Sequence, residues 1–321
     1  MLINGPKIGL RAEFKAVLLE DGKVVEETDW NSNMITDLCL TAIHSWSCQQ
    51  RCFIGSGTTP PATTDTSIET LLPGSNINGA DVGTPIQPAV TPIPAVAPDW
   101  GHWSMKKFRF EAGNGTGSVN EFILGTASAG IYKSISGSNA MHRHVLPATI
   151  NKAANQVLDV YFKYWSYPDI IPTTGTVTIQ GINYDTETSY YALDSNNRGS
   201  MFVNIGQSLV FGSYFKCWDG APAGLTGAGP TGNYADGGYD TSRGLINSGL
   251  GFGDWKVWSG LDVMNTASGI ITVLGCQTTI GYRIQTSFAA TDGPNIGGGF
   301  PKTNTDIINA TWRYNYGRYT P

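Results

Sequence analysis

Two stretches of this chain share one layout, and that layout limits what the chain can fold into. The first runs HVLPATINKAANQVLDVYFKYWSYP, from His144 to Pro168; the second runs GGGFPKTNTDIINATWRYNYGRYTP, from Gly297 to Pro321. Each has an apolar residue before a proline (Leu146-Pro147, Phe300-Pro301), a Thr/Asn/Lys-rich polar stretch, an alternating apolar and aromatic run, and a closing proline. Alternation of this kind belongs to strands with one buried face. A layout written twice predicts two related β-modules with equivalent closing strands.

Composition agrees with a β-protein. Glycine accounts for 40 of the 321 residues, well above the usual ~7%. Thr, Val and aromatic residues are frequent, the mixture of turn-rich β-structure. Charged residues make up 14% against about 25% in ordinary soluble domains, which points to a surface partly covered by other subunits. The net charge of −5 comes with no basic stripe, so nucleic acid has little to hold. No run is apolar over the ~18 residues a spanning helix needs, and the opening MLINGPKIGLRAEF lacks a secretory core, so neither membrane insertion nor export is expected. Five scattered cysteines (Cys39, Cys48, Cys52, Cys217, Cys276) read as reduced packing residues rather than zinc ligands.

Along the chain, residues 10–30 alternate around Asp21-Gly22, the strongest short hairpin signal. Thr36 reads as the N-cap of a helix running to about Trp46, and 64–72 as a second short helical turn. Residues 73–98 are proline-rich and almost uncharged. They are expected to form an extended arm packed on a neighbouring subunit through Ile86, Val90 and Ile93. After the arm, strands return through the first copy to Pro168. The second half repeats strand, turn and strand. Residues 213–256, with eleven glycines, are expected to be a loop inserted on the scaffold, contacting a partner through Trp218, Tyr234 and Tyr239. The expected architecture is all-β with one or two short helices: tandem antiparallel β-sandwich modules, 1–168 carrying the arm and 169–321 carrying the insertion.

The order of short motifs resembles a family of virion structural proteins of tailed bacteriophages, found in tails, baseplates, collars and fibre attachments. The residues concerned are Asn33-Met34-Ile35-Thr36-Asp37 leading into the short helix, Gly55-Ser56-Gly57-Thr58-Thr59-Pro60, Thr64-Asp65-Thr66, the turn Gly113 to Gly117 with Glu121 beyond it, Leu158 to Tyr161 with the exit Tyr167-Pro168, and finally Pro301 to Thr305 and Trp312 to Tyr319. The resemblance covers most of 10–168, the opening of the second half and the last 25 residues; the Gly-rich region lies outside it. Two departures are the long proline-rich arm and the MHRHVLP segment. The resemblance implies a virion component, assembled in the host cytoplasm as a symmetric homo-oligomer and attaching other tail or fibre proteins. The alternative is a receptor-binding tail-tip protein that recognises a host surface glycan or pilus.

Chemistry is sparse. His142 and His144 sit two apart, which on a strand points both rings to one face; an exposed strand face is the expectation, and a metal pair the alternative. Asp185 and Glu187 share a face without a signal of a buried acid. No nucleophile elbow or phosphate loop is present, so neither an enzyme nor a cofactor is expected; a tail-associated depolymerase is the third reading. Tyr161, Tyr164, Trp165 and Tyr167, with Trp312, Tyr314, Tyr316 and Tyr319, offer a sugar platform or a subunit interface, with half of each set expected in the core.

Overall fold

A computed structural model describes residues 1–5, 7–42, 51–78, 102–125, 140, 142–169, 171–191, 211–224, 230–231, 234–236, 239–248, 251–259, 269–278, 283–294, 296–303 and 310–319. In chain order these form β1 (Leu2–Asn4), β2 (Ile8–Glu20), β3 (Lys23–Glu27), β4 (Asn31–Ile35), α1 (Asp37–Ala42), β5 (Arg51–Gly55), β6 (Leu71–Asn78), β7 (His102–Phe110), β8 (Gly117–Gly125), β9 (His142–Lys152) and β10 (Val157–Pro168). The second half contributes β11 (Thr173–Ile179), β12 (Ile182–Tyr191), β13 (Phe211–Trp218), β14 (Tyr234–Asp236), β15 (Tyr239–Ser248), β16 (Gly251–Ser259), β17 (Gly269–Ile271), β18 (Val273–Thr278), β19 (Arg283–Ala290), β20 (Phe300–Lys302) and β21 (Ala310–Arg318). The all-β expectation holds, with α1 the one helix among the described residues.

The 13-residue β2 organises the larger sheet. One edge pairs antiparallel with β10 along its length, and β10 pairs with β7 beyond it. The other edge is shared by three strands: β21 at Ile8–Leu10, β4 at Ala12–Phe14 and β3 at Val17–Glu20. From β21 the sheet continues through β16 to β15; from β4 it continues through β9, β8 and β5 to β6. The β4–β9–β8 branch brings its rings onto those of β2 and β10. Phe14 lies 5.6 Å from Phe122 and 5.0 Å from Phe162, and His142 lies 4.9 Å from Phe162. Even-numbered residues of β2 and β10 (Leu10, Ala12, Phe14, Leu158, Val160, Phe162, Tyr164) are buried by this arrangement. The second sheet runs β11-β12-β19-β18-β13-β14, and β17 pairs with β20. Its inward residues, among them Tyr184, Ile284 and Phe288, join the same hydrophobic cluster as Phe14 and Phe122.

Local signals explain several elements. Asp21 and Gly22 both have positive φ (49° and 76°), the primed geometry that matches strand twist in a two-residue hairpin. Gln180 and Gly181 repeat it between β11 and β12 (51° and 81°). Thr36 caps α1 by accepting from the Cys39 amide at 3.2 Å.

Four expectations need correction. Residues 64–72 form no helix: a turn at 63–64 is followed by β6 from Leu71. There the Asp65 carboxylate accepts from the Ala62 amide (2.7 Å) and from Arg143, so tertiary partners override a weak helical period. The closing strands of the two repeated segments lie in one sheet rather than at equivalent places in two, and Phe300–Lys302 of the second segment pairs with β17 in a separate two-stranded sheet. β10 runs antiparallel to β2 on one edge, and β21 runs parallel to it on the other. Alternation specifies a strand and its buried face but not its partner. The larger sheet therefore draws strands from both sides of residue 168. The Gly-rich stretch is not a simple loop either. It supplies β14 to the second sheet and the β15–β16 hairpin to the first. Finally, His142 and His144 are interior rather than on an exposed face.

Candidate functional site

Two polar assemblies stand out, and each draws on segments that the sequence keeps apart. The first surrounds Arg143. Because β9 alternates, His142 and His144 point into the core and Arg143 points the other way, beneath the loop that joins β5 to β6. It is nonetheless only 4% exposed. Its Nε donates to Glu121 Oε1 at 2.7 Å, one terminal nitrogen to Asp65 Oδ2 at 2.7 Å, and the other to the Thr59 carbonyl at 3.0 Å and Glu69 Oε2 at 3.5 Å. Glu121, fully buried on β8, also accepts from the Glu69 amide, and Glu69 accepts from the Thr59 amide. Gly57 leaves room for this: a Cβ there would lie 2.5 Å from Glu121 Oε2. Burial works against the Arg143 charge, but the bonds to Asp65 and Glu121 outweigh it and raise its pKa. Hydrogen bonds from Thr59 hold the Glu69 carboxyl below its usual range. The Gly55–Pro60, Thr64–Thr66 and Glu121 motifs thus meet at one guanidinium. Asp37 of the first motif joins them through its amide, which donates to the Thr63 carbonyl at 2.8 Å.

The buried histidines behind it are neutral. Burial lowers His142 to about 3 and His144 to about 4, the latter despite its bond to the Ser32 carbonyl. His142 contacts Asn33 Nδ2 at 3.1 Å and Cys39 Sγ at 3.5 Å. No group of three or more His, Cys, Asp or Glu with metal-binding geometry occurs among the described residues. Cys39, Cys52 and Cys217 are buried and unbridged.

The second assembly is the outward face of β7, β10 and β2. Odd-numbered residues of β10 place Tyr161, Lys163, Trp165 and Tyr167 there, half-buried, while Tyr164 points into the core, one of the four aromatics rather than the expected half, because three of them occupy odd positions. Tyr319 stacks on Tyr167 at 4.0 Å, and Tyr167 on Trp165 at 5.9 Å. Lys163 Nζ sits 4.0 Å from the Trp30 ring centroid and 5.7 Å from that of Trp165. Gly9 makes the crossing possible, since a Cβ there would lie 2.9 Å from the Tyr319 ring. The charges among the rings are paired: Arg11 with Glu13 at 2.7 Å, Lys15 with Glu27, and Lys107 and Arg109 with Asp159. Burial raises the Asp159 pKa, but hydrogen bonds from Arg109 and Lys107 hold it below its ordinary value. Trp165 stacks on Tyr167 and Tyr167 on Tyr319, so part of the ring surface that a pyranose would stack on is taken up within the ladder.

The sequence-derived contact residues fare differently. Trp218 is buried, packed edge-on against Tyr191 at 6.3 Å and over Gly275, where a Cβ would lie 2.8 Å from the indole. It is a core residue of the second sheet, not an exposed anchor. The segment after it is tied down as well, with Gln285 bonding both the amide and the carbonyl of Ala223. The backbones of Tyr234 and Tyr239 lie in β14 and β15; their side chains lie outside the described residues, as do Ile86, Val90, Ile93 and the rest of the arm from residue 79. Sequence reading gave Arg143 no role. Its one signal was a charged residue between two histidines at the start of β9.

Neither protein-family models nor curated proteins nor solved structures give a match to this chain.

Proposed function

We propose that this chain is a structural component of a tailed-phage virion, of the tail, collar or baseplate, that assembles as a symmetric homo-oligomer and attaches other tail or fibre proteins. The supporting observation is the convergence on Arg143. Segments that resemble virion structural proteins only by their order in the sequence are joined by one buried ion-pair network. They tie the loop between β5 and β6 to β8 and β9 around one guanidinium. The half-buried aromatic and charged face of β7, β10 and β2 suits a protein interface, where Tyr, Trp and Arg are enriched. The receptor-binding alternative loses one of its anchors with the burial of Trp218.

Antibodies raised against the recombinant chain, applied to purified particles from a lysate in which the gene is expressed, test the reading. Labelling at one discrete position on the tail or neck is expected. Absence of the chain from washed particles overturns it.

A further inference from the structure

The β2–β3 hairpin is the acidic counterpart of the outer face. Every residue of β3 is exposed, including Val24 at 56% and Val25 at 50%. The hairpin carries Glu20, Asp21 and Glu26 against Lys23. The face of β7, β10 and β2, with Glu27 and Glu111 at its margins, carries five cations (Arg11, Lys15, Lys107, Arg109, Lys163) against four anions (Glu13, Glu27, Glu111, Asp159). The chain as a whole is at −5, so a net positive face runs against its overall sign. The rings of Trp165 and Tyr167 spend their faces on each other, on Tyr319 and on Lys163. β3 pairs with β2 alone among the described strands. Its Lys23, Glu26 and Glu27 are the charges that discourage strand-to-strand addition at an open edge, so the hairpin is fitted for side-chain contact.

We propose that the acidic β2–β3 hairpin of one copy docks on the cationic aromatic face of a second copy of this chain. Both surfaces belong to every copy, and a reciprocal contact about a two-fold axis, each hairpin lying on its partner's face, satisfies both at once. Val24 and Val25 supply the apolar part, and Glu20, Asp21 and Glu26 face Arg11, Lys15 and Lys163. The inference rests on the self-assembling reading above, and the two fail separately. Particles that carry the chain while its self-association ignores charge leave the function standing and sink this contact. Salt-sensitive self-association of a chain absent from particles does the reverse.

The test is sedimentation equilibrium of the full chain. Self-association should weaken at least tenfold between low salt and about 1 M salt, where the screening length falls to about 3 Å. Asp21→Lys with Glu26→Lys should weaken it at least tenfold at low salt, and Arg11→Glu with Lys15→Glu likewise. Combining the four should restore it, a recovery that misfolding cannot imitate. A monomer at every concentration in low salt overturns the proposal, as does an oligomer indifferent to salt and to both reversals. Binding of polygalacturonate by a chain that does not self-associate also overturns it, and gives the face to an acidic glycan.

Discussion

The Arg143 cluster and the outer face of β2 and β10 are built from the same kinds of residue, arginine or lysine against carboxylates, yet they do different work. Around Arg143 the central pair is sealed, Arg143 being 4% exposed and Glu121 fully buried, while the outer carboxylates Asp65 and Glu69 are 22% and 41% exposed at the side chain. On the outer face Arg11 and its partner Glu13 are 39% and 13% exposed at the side chain. A buried charge left without its partner is costly, whereas an exposed pair contributes little because water and salt take its place. The difference lies in what each assembly can release. The Arg143 network cannot open without loosening the loop between β5 and β6, so it fixes shape. Arg11 and Lys15 can exchange their internal pairs for pairs with a neighbour at small cost, whereas buried Asp159 holds Lys107 and Arg109, so it is the Arg11 and Lys15 end of the face that is suited to assembly.

The comparison is most sharply broken at Arg143 itself. Arg143→Ala strands Glu121 and should cost about 3–5 kcal/mol, in the range for breaking a buried pair, measured as a shift in the urea midpoint. A loss near that of a surface pair would remove the distinction. The histidines beneath provide the next effect. Their folded values of about 3 and about 4 lie below the ordinary 6.5, so the unfolded chain binds more protons in between. Stability is therefore fully present above pH 6.5 and is lost as pH falls through that window. The loss should be about 1.4 kcal/mol per pH unit for each histidine. Acid titration of His142→Phe should show a shallower slope; an unchanged slope would place the protons elsewhere.

Gly9→Ala tests the ladder. Its Cβ meets the Tyr319 ring at 2.9 Å, and overpacking of this kind costs about 1–3 kcal/mol. Thermal melting should drop and the near-ultraviolet signal of the stacked rings should change; neither would move if Tyr319 did not lie across β2. The smallest effect belongs to Arg11→Ala, within about 1 kcal/mol for the isolated chain. A larger loss would make the outer face as structural as the Arg143 cluster.

Legibility in the sequence followed range. The β2–β3 hairpin announced itself through Asp21-Gly22, the helix start through Thr36, and the inward set of β10 through strict alternation. All three are decided within a few residues. Arg143 was opaque because its partners at 59, 65, 69 and 121 are strung along the chain, and a strand pattern says which way a side chain points but not what waits there. β21 was misassigned for the same reason: its pairing with β1 and β2 joins the two ends of the described chain. The Gly-rich stretch misled in the other direction. Eleven glycines raise the entropic cost of order, yet β13 to β16 form because neighbouring strands satisfy their backbones.

Backbone amide exchange on the full chain, compared between dilute and concentrated low-salt samples, bears most directly on the contrast between a sealed frame and an outer face left for assembly. The amides of Ser56, Thr59 and Glu69, bonded within the Arg143 network or its loop, should be equally slow in both. The β3 amides should slow only in the concentrated sample. Fast exchange at Glu69 in the dilute chain, or β3 amides indifferent to concentration while the chain self-associates, would contradict the account.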